Sequence, residues 1–367
     1  MGPAAAYAAD TTRAVAEHQP AAVVSSFFAV GAMTAAEAAH LPFAVLMPNL
    51  YPLPTPGLPP FGSGLRAART PFGHALHGTL SAMVTRMFDR ALPRLNSVRA
   101  SYSLPPLRHF WDQVSAAEQQ LVLTSRAFDF PAELPDRVRY VGPVLDDPLW
   151  AEKWSPPVGS DPLVLVAMSS TYMEQDVTLQ SVVDALGTLP VTGLVTTGPS
   201  LDPAVVRAPS NVTVVPSAPH GQVLEHAAAV LTHGGHGTVM KCLAAGVPMV
   251  VMPHGRDQKD NGIRVTARGA GVMVRRSASS RRIAAAIRRV LNDDRYREGA
   301  RRLGEAVRRD ASTDELTRAL EDLPPARTRA LEDLPPASTR ALEDLPPAVA
   351  ALRPGPRSGD PERGACW

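Results

Sequence analysis

From residue 163 onward, short apolar runs alternate with helix-like segments. LVLVAM (163–168), VTGLVTT (191–197), VTVVP (212–216), AVLTH (229–233), PMVVM (248–252) and GVMV (271–274) are strand-length and rich in β-branched residues. Helical patterns lie near residues 174–186 and 222–228, over TVMKCLAA and from Asp257, and two Arg-rich helices follow the last strand. Strands separated by helices pair in parallel, so this half predicts a doubly wound α/β domain with helices on both faces.

The first half carries the same signature more briefly. AAVVSSF (21–27) reads as a buried strand, AMTAAEAAH as a helix and FAVLM (43–47) as a second strand, which is one βαβ unit. LVLTS (121–125) and VRYVG (138–142) read as its closing strands. Residues 48–64, PNLYPLPTPGLPPFGSG, hold too much Pro and Gly for either element and predict a long apolar loop, a binding surface or a packed surface loop. The expected organisation is a first domain over 1–145, a Pro- and Trp-containing linker over 146–162, a second domain over 163–312 and a tail over 313–367. In that tail TRALEDLPPA recurs from Thr317, Thr328 and Thr339 with a period of 11 residues. The Pro-Pro pair in each copy breaks a continuous helix, so short helical turns on stiff hinges, or disorder, are expected.

Bulk composition narrows the classes. At 367 residues the chain can bury two cores, and 37 basic against 35 acidic residues give no reason to expect nucleic acid as a partner. Only two cysteines occur, Cys242 and Cys366, consistent with a reducing, cytoplasmic setting. No signal peptide is recognisable, and the uncharged run over 19–36 is broken by Ser25, Ser26, Gly31 and Thr34, so no transmembrane segment is expected.

The chemistry concentrates in VLTHGGHGTVMKCLAAGVPMVVMPHGRDQKDN (230–261). Five of the ten histidines, His220, His226, His233, His236 and His254, fall within 35 residues. A metal centre is disfavoured, because His233 and His236 flank two glycines rather than one helix face, and no Cys pair or carboxylate stands at ligand spacing. Anion binding fits better. A strand, a Gly-Gly turn and a helix opening at Gly237-Thr238 present free backbone N–H groups and the positive end of a helix dipole. Thr238 adds a hydroxyl, and His233 a ring donor. Neither GxGxxG nor GxxxxGK[ST] is present, and a purely structural Gly turn remains an alternative. The second loop, PHGRDQKDN, follows the next strand. Its Asp257 and Gln258 suit the hydroxyls of a polyol, although Asp257 as a helix cap is an equal reading.

The whole stretch resembles the donor-binding signature of the UDP-glycosyltransferase family, whose fold is GT-B, and is particularly similar to actinobacterial macrolide-type glycosyltransferases. APHGQVLEHAAAVLTHGG and SSFFAVGAMTAAEAAHLPFAVLMPN extend the resemblance to about residues 15–312. It implies two Rossmann-like domains facing a cleft, the first holding the acceptor and the second the nucleotide sugar. Carried over by motif, His233, Gly235, His236, Gly237 and Thr238, with Ser170 and Thr171, hold the donor diphosphate. Asp257 and Gln258 hold the sugar, and the loop with Ser217, Ala218 and His220 meets the base.

The implied reaction is inverting, metal-independent hexosyl transfer from a nucleoside diphosphate sugar, expected to be a UDP-sugar, to a hydroxyl of a small hydrophobic acceptor, with no bound cofactor. Alternatives are a nucleotide-sugar-binding protein without catalysis and, third, a nucleotide-sugar epimerase. Three departures from the family bear on these. The strand-Gly-His segment that carries the base histidine is not found, and roughly 80–100 residues of an ordinary first domain are expected to be missing. Ser26 stands where relatives carry the Asp that orients that histidine. Lys241 stands where many have a ribose-binding Glu, and an ammonium attracts phosphate but accepts no hydrogen bond.

Overall fold

The computed structural model describes residues 2–147, 154–157, 159–168, 176–198 and 201–326. In the first half these form α1 (Pro3–His18), β1 (Val23–Ser26), α2 (Val30–Ala38), β2 (Phe43–Met47), α3 (Pro71–Asp89), α4 (Leu92–Ser101), α5 (Asp112–Ser115), β3 (Gln119–Val122) and β4 (Val138–Tyr140). The four strands make one parallel sheet in the order β1-β2-β3-β4. FAVLM of β2 lies inside it, flanked on both sides, which is why its apolar run is continuous rather than alternating.

Helices α3 and α4 have no counterpart in the sequence reading, and the reason is physical. No residue of α3 is buried, so no core-facing stripe marks it. Its start is set locally: Pro71 occupies the first turn, and the Thr70 hydroxyl accepts a 3.1 Å hydrogen bond from the Gly73 amide.

The second half forms β5 (Leu163–Ala167), α6 (Asp176–Leu186), β6 (Thr192–Thr196), β7 (Val212–Val215), α7 (His220–His226), β8 (Ala227–Thr232), α8 (His236–Ala244), β9 (Met249–Val251), α9 (Gln258–Ala267) and β10 (Gly271–Met273). Helices α10 (Ser280–Asn292), α11 (Asp294–Ala311) and α12 (Glu315–Glu321) follow. The six strands are parallel in the order β10-β9-β8-β5-β6-β7. The chain winds outward one way from β5 and then returns to β8 on its other side. The order therefore reverses between β5 and β8, and the carboxyl ends of those strands mark the switch point at which open α/β sheets take ligands. Each Arg-rich helix keeps arginines outward and buries an apolar face, Ile283, Ile287 and Val290 on α10 and Leu303 and Val307 on α11.

The two halves share packing. Leu50 and Phe128 from the first insert among Leu163, Leu165, Val239 and Met240 of the second. Beside them Asp129, 1% exposed, accepts from Arg264 Nε at 2.8 Å and Nη2 at 2.7 Å, and Arg264 stacks over the Phe130 ring. The chain then crosses back. Asp310 of α11 accepts from Ser125 Oγ at 2.6 Å, and Ala319 of α12 packs with Ala44, Leu121 and Val141 of the first sheet. Arg139 pairs with Asp322 at 2.8 Å. The first TRALEDLPPA copy, expected to belong to a separate tail, is thus part of the folded body, with α12 stopping ahead of Pro324 and Pro325. The copies from Thr328 and Thr339 lie outside the described residues. Among the described residues, no helix is long and apolar enough to cross a membrane.

Breaking the Asp129–Arg264 pair from one side strands a buried charge. Arg264→Met is expected to cost about 3–5 kcal/mol in urea unfolding. Adding Asp129→Asn should return part of that loss by removing the orphaned charge. Equal stability of parent and single variant would contradict the burial seen here.

Candidate functional site

The turn from β8 into α8 is built around Gly234. Its φ is +89°, in the left-handed region, and a Cβ there would stand 2.7 Å from Val251 Cγ1. Both facts require glycine. The Thr232 hydroxyl accepts from the Gly234 amide at 3.2 Å and fixes the turn. Helix α8 then starts behind Gly235 with no side chain capping it. A Cβ on exposed Gly237 would meet nothing within 4 Å, so the first amides of α8, including that of half-buried Thr238, border open space. An uncapped helix N-terminus after β8, at the sheet's switch point, attracts an anion through its amides and dipole.

His233 lies over this turn, and a side chain on Gly235 would collide with its Nε2. Its Nδ1 is 3.3 Å from the Ala167 carbonyl. A carbonyl only accepts, so Nδ1 carries the hydrogen, and burial holds the ring below the usual histidine pKa. Nε2 of the neutral ring is then a lone pair. The expectation that His233 donates to phosphate holds only for the imidazolium.

His236 departs from the expectation that both histidines rim the pocket. Its ring is buried between the halves, Nδ1 3.4 Å from Asn261 Oδ1 and Nε2 3.3 Å from the Leu123 carbonyl, edge-on to Phe128. What it offers an anion is its backbone amide at the start of α8.

The loop after β9 brings Asp257 to the same turn. Asp257 precedes α9 but its carboxylate makes no cap. Oδ2 accepts instead from Asn261 Nδ2 at 2.9 Å, and it is close enough to oppose the depression of the His233 pKa. Its neighbour Arg256 has φ 53°, a left-handed conformation that a non-glycine residue adopts at a cost of roughly 1 kcal/mol. Gln258, expected to face the sugar, is buried under the loop, where its Oε1 accepts from the His254 amide at 2.7 Å and the Gly255 amide at 3.1 Å. The residue missed from sequence is Asn261. Its Nδ2 also donates to the Gly234 carbonyl at 2.9 Å and so ties the two ligand loops together. The available signal was an Asn four places after Asp257, on the same helix face.

The remaining expected residues are placed differently. Ser217, Ala218 and His220 follow β7, but Ala218 is packed into the core. His220 Nε2 lies 3.2 Å from Thr196 Oγ1, and burial pushes its pKa down to about 4. Lys241 is not a free cation for phosphate: its Nζ pairs with Asp147 Oδ1 at 2.6 Å, while Asp147 Oδ2 accepts from the Gly221 amide at 2.8 Å. Ser26 ends β1, where its carbonyl accepts from the Ala29 amide at 2.8 Å. Ser170 and Thr171 lie outside the described residues. Among the described residues, no three His, Cys, Asp or Glu side chains converge as metal ligands would.

The His220 environment sets a pH dependence. Burial pushes the folded ring down to about 4 from the ordinary histidine value of 6.5, so between those pH values the unfolded chain takes up a proton that the folded chain does not. Stability is expected to fall as pH drops from 6.5 towards 4, with a His220 share on the order of 3 kcal/mol. Urea unfolding at pH 7 and 4.5 should show a smaller loss for His220→Gln than for the parent.

Known proteins resemble this chain over most of its length. Residues 180–323 match the erythromycin biosynthesis protein CIII-like C-terminal domain. The 4'-demethylrebeccamycin synthase of Lentzea aerocolonigenes is 31% identical over 82% of this chain and 74% of its own length. Demethyllactenocin mycarosyltransferase of Streptomyces fradiae is 30% identical over 50% of this chain, and the match spans only 41% of that protein. Among solved structures, the glycotransferase of kitacinnamycin has a TM-score of 0.69 at 22% identity, over 88% of this chain and 80% of the other. A spinosyn rhamnosyltransferase complexed with thymidine diphosphate has a TM-score of 0.60 at 19% identity, over 87% of this chain and 80% of the other.

Proposed function

This chain belongs to the GT-B glycosyltransferases of actinobacterial natural-product biosynthesis, and on that premise we propose that it transfers a hexosyl group from a pyrimidine nucleoside diphosphate sugar to a hydroxyl of a small hydrophobic acceptor. The observation that carries the reading is the uncapped N-terminus of α8 at the switch point, with the Asp257 carboxylate delivered beside it from the next strand. The thymidine diphosphate bound by the spinosyn enzyme supports a pyrimidine donor.

In this reading the acceptor hydroxyl oxygen attacks the anomeric carbon as the bond to the diphosphate breaks, its proton passes to solvent water, and a single displacement inverts that carbon. The departing electron pair settles on phosphate. The amides of His236, Gly237 and Thr238, the Thr238 hydroxyl and a protonated His233 receive the charge that builds there, the role a divalent cation plays in other transferases. Asp257 keeps one oxygen on Asn261 and offers the other to sugar hydroxyls. An apolar acceptor is supported by the first half. Phe72, Leu76, Met83 and Met87 form one exposed stripe on α3, and beside it Pro52, Pro59, Phe61 and Val84 line a crease under the Pro-rich loop.

A second reading, donor binding without transfer, is favoured by one observation: among the described residues, no loop that follows a strand of the first sheet carries a histidine. Incubating the chain with UDP- and dTDP-hexoses and a panel of hydrophobic phenols separates the two, since only the first reading yields a glycoside.

Two outcomes are expected for the donor site. His233→Ala and Asp257→Ala should each weaken UDP or dTDP-sugar binding in calorimetry by about tenfold or more. Parent-like affinity in the double variant would sink the assignment. Because His233 must gain a proton to donate through Nε2, affinity for a UDP-sugar should rise as pH falls from 8 to 6, with proton uptake on binding. His233→Gln should abolish that slope.

A further inference from the structure

The Pro-rich loop ends in Gly62-Ser63-Gly64, and both glycines have left-handed φ, +80° and +66°. This winding points two backbone amides the same way, and one carboxylate takes both. Asp260 Oδ2 accepts from the Gly62 amide at 2.5 Å and Oδ1 from the Gly64 amide at 2.7 Å. Asp260 is buried, and it stands on α9, one turn after Asp257. The fit is tight: a Cβ on Gly64 would lie 2.8 Å from Lys259 Cβ.

Helix α9 therefore holds two sets of partners along one side. Asp260, Arg264 and Arg268, four residues apart, grip the first half through Gly62 and Gly64, the Asp129 carboxylate and the Asp129 carbonyl. Asp257 and Asn261, also four apart, face the turn that opens α8. A rigid helix whose first turn holds both loops, one through Asp260 and the other through Asn261, couples them mechanically. We propose that Asp260 is a positioning residue that fastens the Pro-rich loop to the donor-binding helix, so that donor occupancy orders the loop against which the acceptor sits. The coupling rests on the donor and acceptor roles given above; the clamp itself does not. Coupling between sites is reciprocal, so a donor that tightens the loop loses affinity by the same factor when the clamp is cut.

Hydrogen exchange over residues 60–65 tests both parts, with UDP as the probe and calorimetry alongside. Without UDP, these amides should exchange about tenfold faster in Asp260→Ala than in the parent. Asp260→Asn, which keeps one acceptor oxygen, should fall between them. Gly64→Ala, which leaves the sequence of α9 unchanged and breaks the contact from the loop side by driving a Cβ against Lys259, should match Asp260→Ala, so that the effect is not peculiar to one variant. Saturating UDP should slow the parent's exchange severalfold, leave Asp260→Ala unchanged, and bind the variant correspondingly less tightly. Parent-like exchange in both Asp260→Ala and Gly64→Ala overturns the clamp. Calorimetric binding of UDP to the parent with no change in loop exchange overturns the coupling. If UDP gives no heat with the parent, the donor-site reading and the coupling fall together, while the comparison without UDP still decides the clamp.

Discussion

Arg264 and Asp129 meet at the junction of the two halves with both side chains withdrawn from water, and the cleft depends on that meeting. A buried ion pair is a poor source of net stability, since desolvating two charges offsets most of their attraction. It is a strong source of position. The guanidinium must reach one carboxylate oxygen with two nitrogens and lie over Phe130, and the same carboxylate accepts from the Phe130 amide and the Tyr140 hydroxyl. Those last two bonds hold Asp129 within the first half, and sliding the second half past it would strip Arg264 of the carboxylate and the ring at once. The apolar contacts around it, Leu50 and Phe128 among the core of the second half, supply attraction that is far less directional.

Placement of α9 is what that geometry secures, and α9 carries Asn261 on the same side, one turn before Arg264. Asn261 makes the link: one amide nitrogen serves both Asp257 and the Gly234 carbonyl, so the two ligand loops cannot move independently. The turn into α8 is mostly backbone: its positive potential comes from the end of a helix, where no cation has to be held out of water, and burial lowers the pKa of the neighbouring His233.

How much of this was legible in the chain follows from what each signal depends on. The central strands of the second sheet, β5, β8 and β9, announced themselves because they are buried on both faces, and their runs of Val, Leu and Ala carry that burial directly. The Gly-Gly turn, the helix after it and the loop with Asp257 were legible because left-handed turns and helix starts are properties of a few neighbouring residues. Helix α3 was not, since no face of it is buried. The first repeat copy read as tail because its Pro-Pro pair is a local signal, whereas its docking through Ala319 and Asp322 depends on a surface nearly 200 residues away in sequence.

Side-chain roles in the site divide along the same line. By itself the sequence determined the parallel α/β halves, the Gly-Gly turn that opens α8 and the loop that carries Asp257, because strand period, turn chemistry and helix polarity act over a few residues. Only the tertiary structure decided what those residues do there. It turned His236 towards Leu123, set Gln258 beneath its own loop, paired Lys241 with Asp147 and closed Asp260 on Gly62 and Gly64. Each of those choices follows from a partner brought alongside by folding, and a buried polar group takes whichever partner spares it an unmade hydrogen bond.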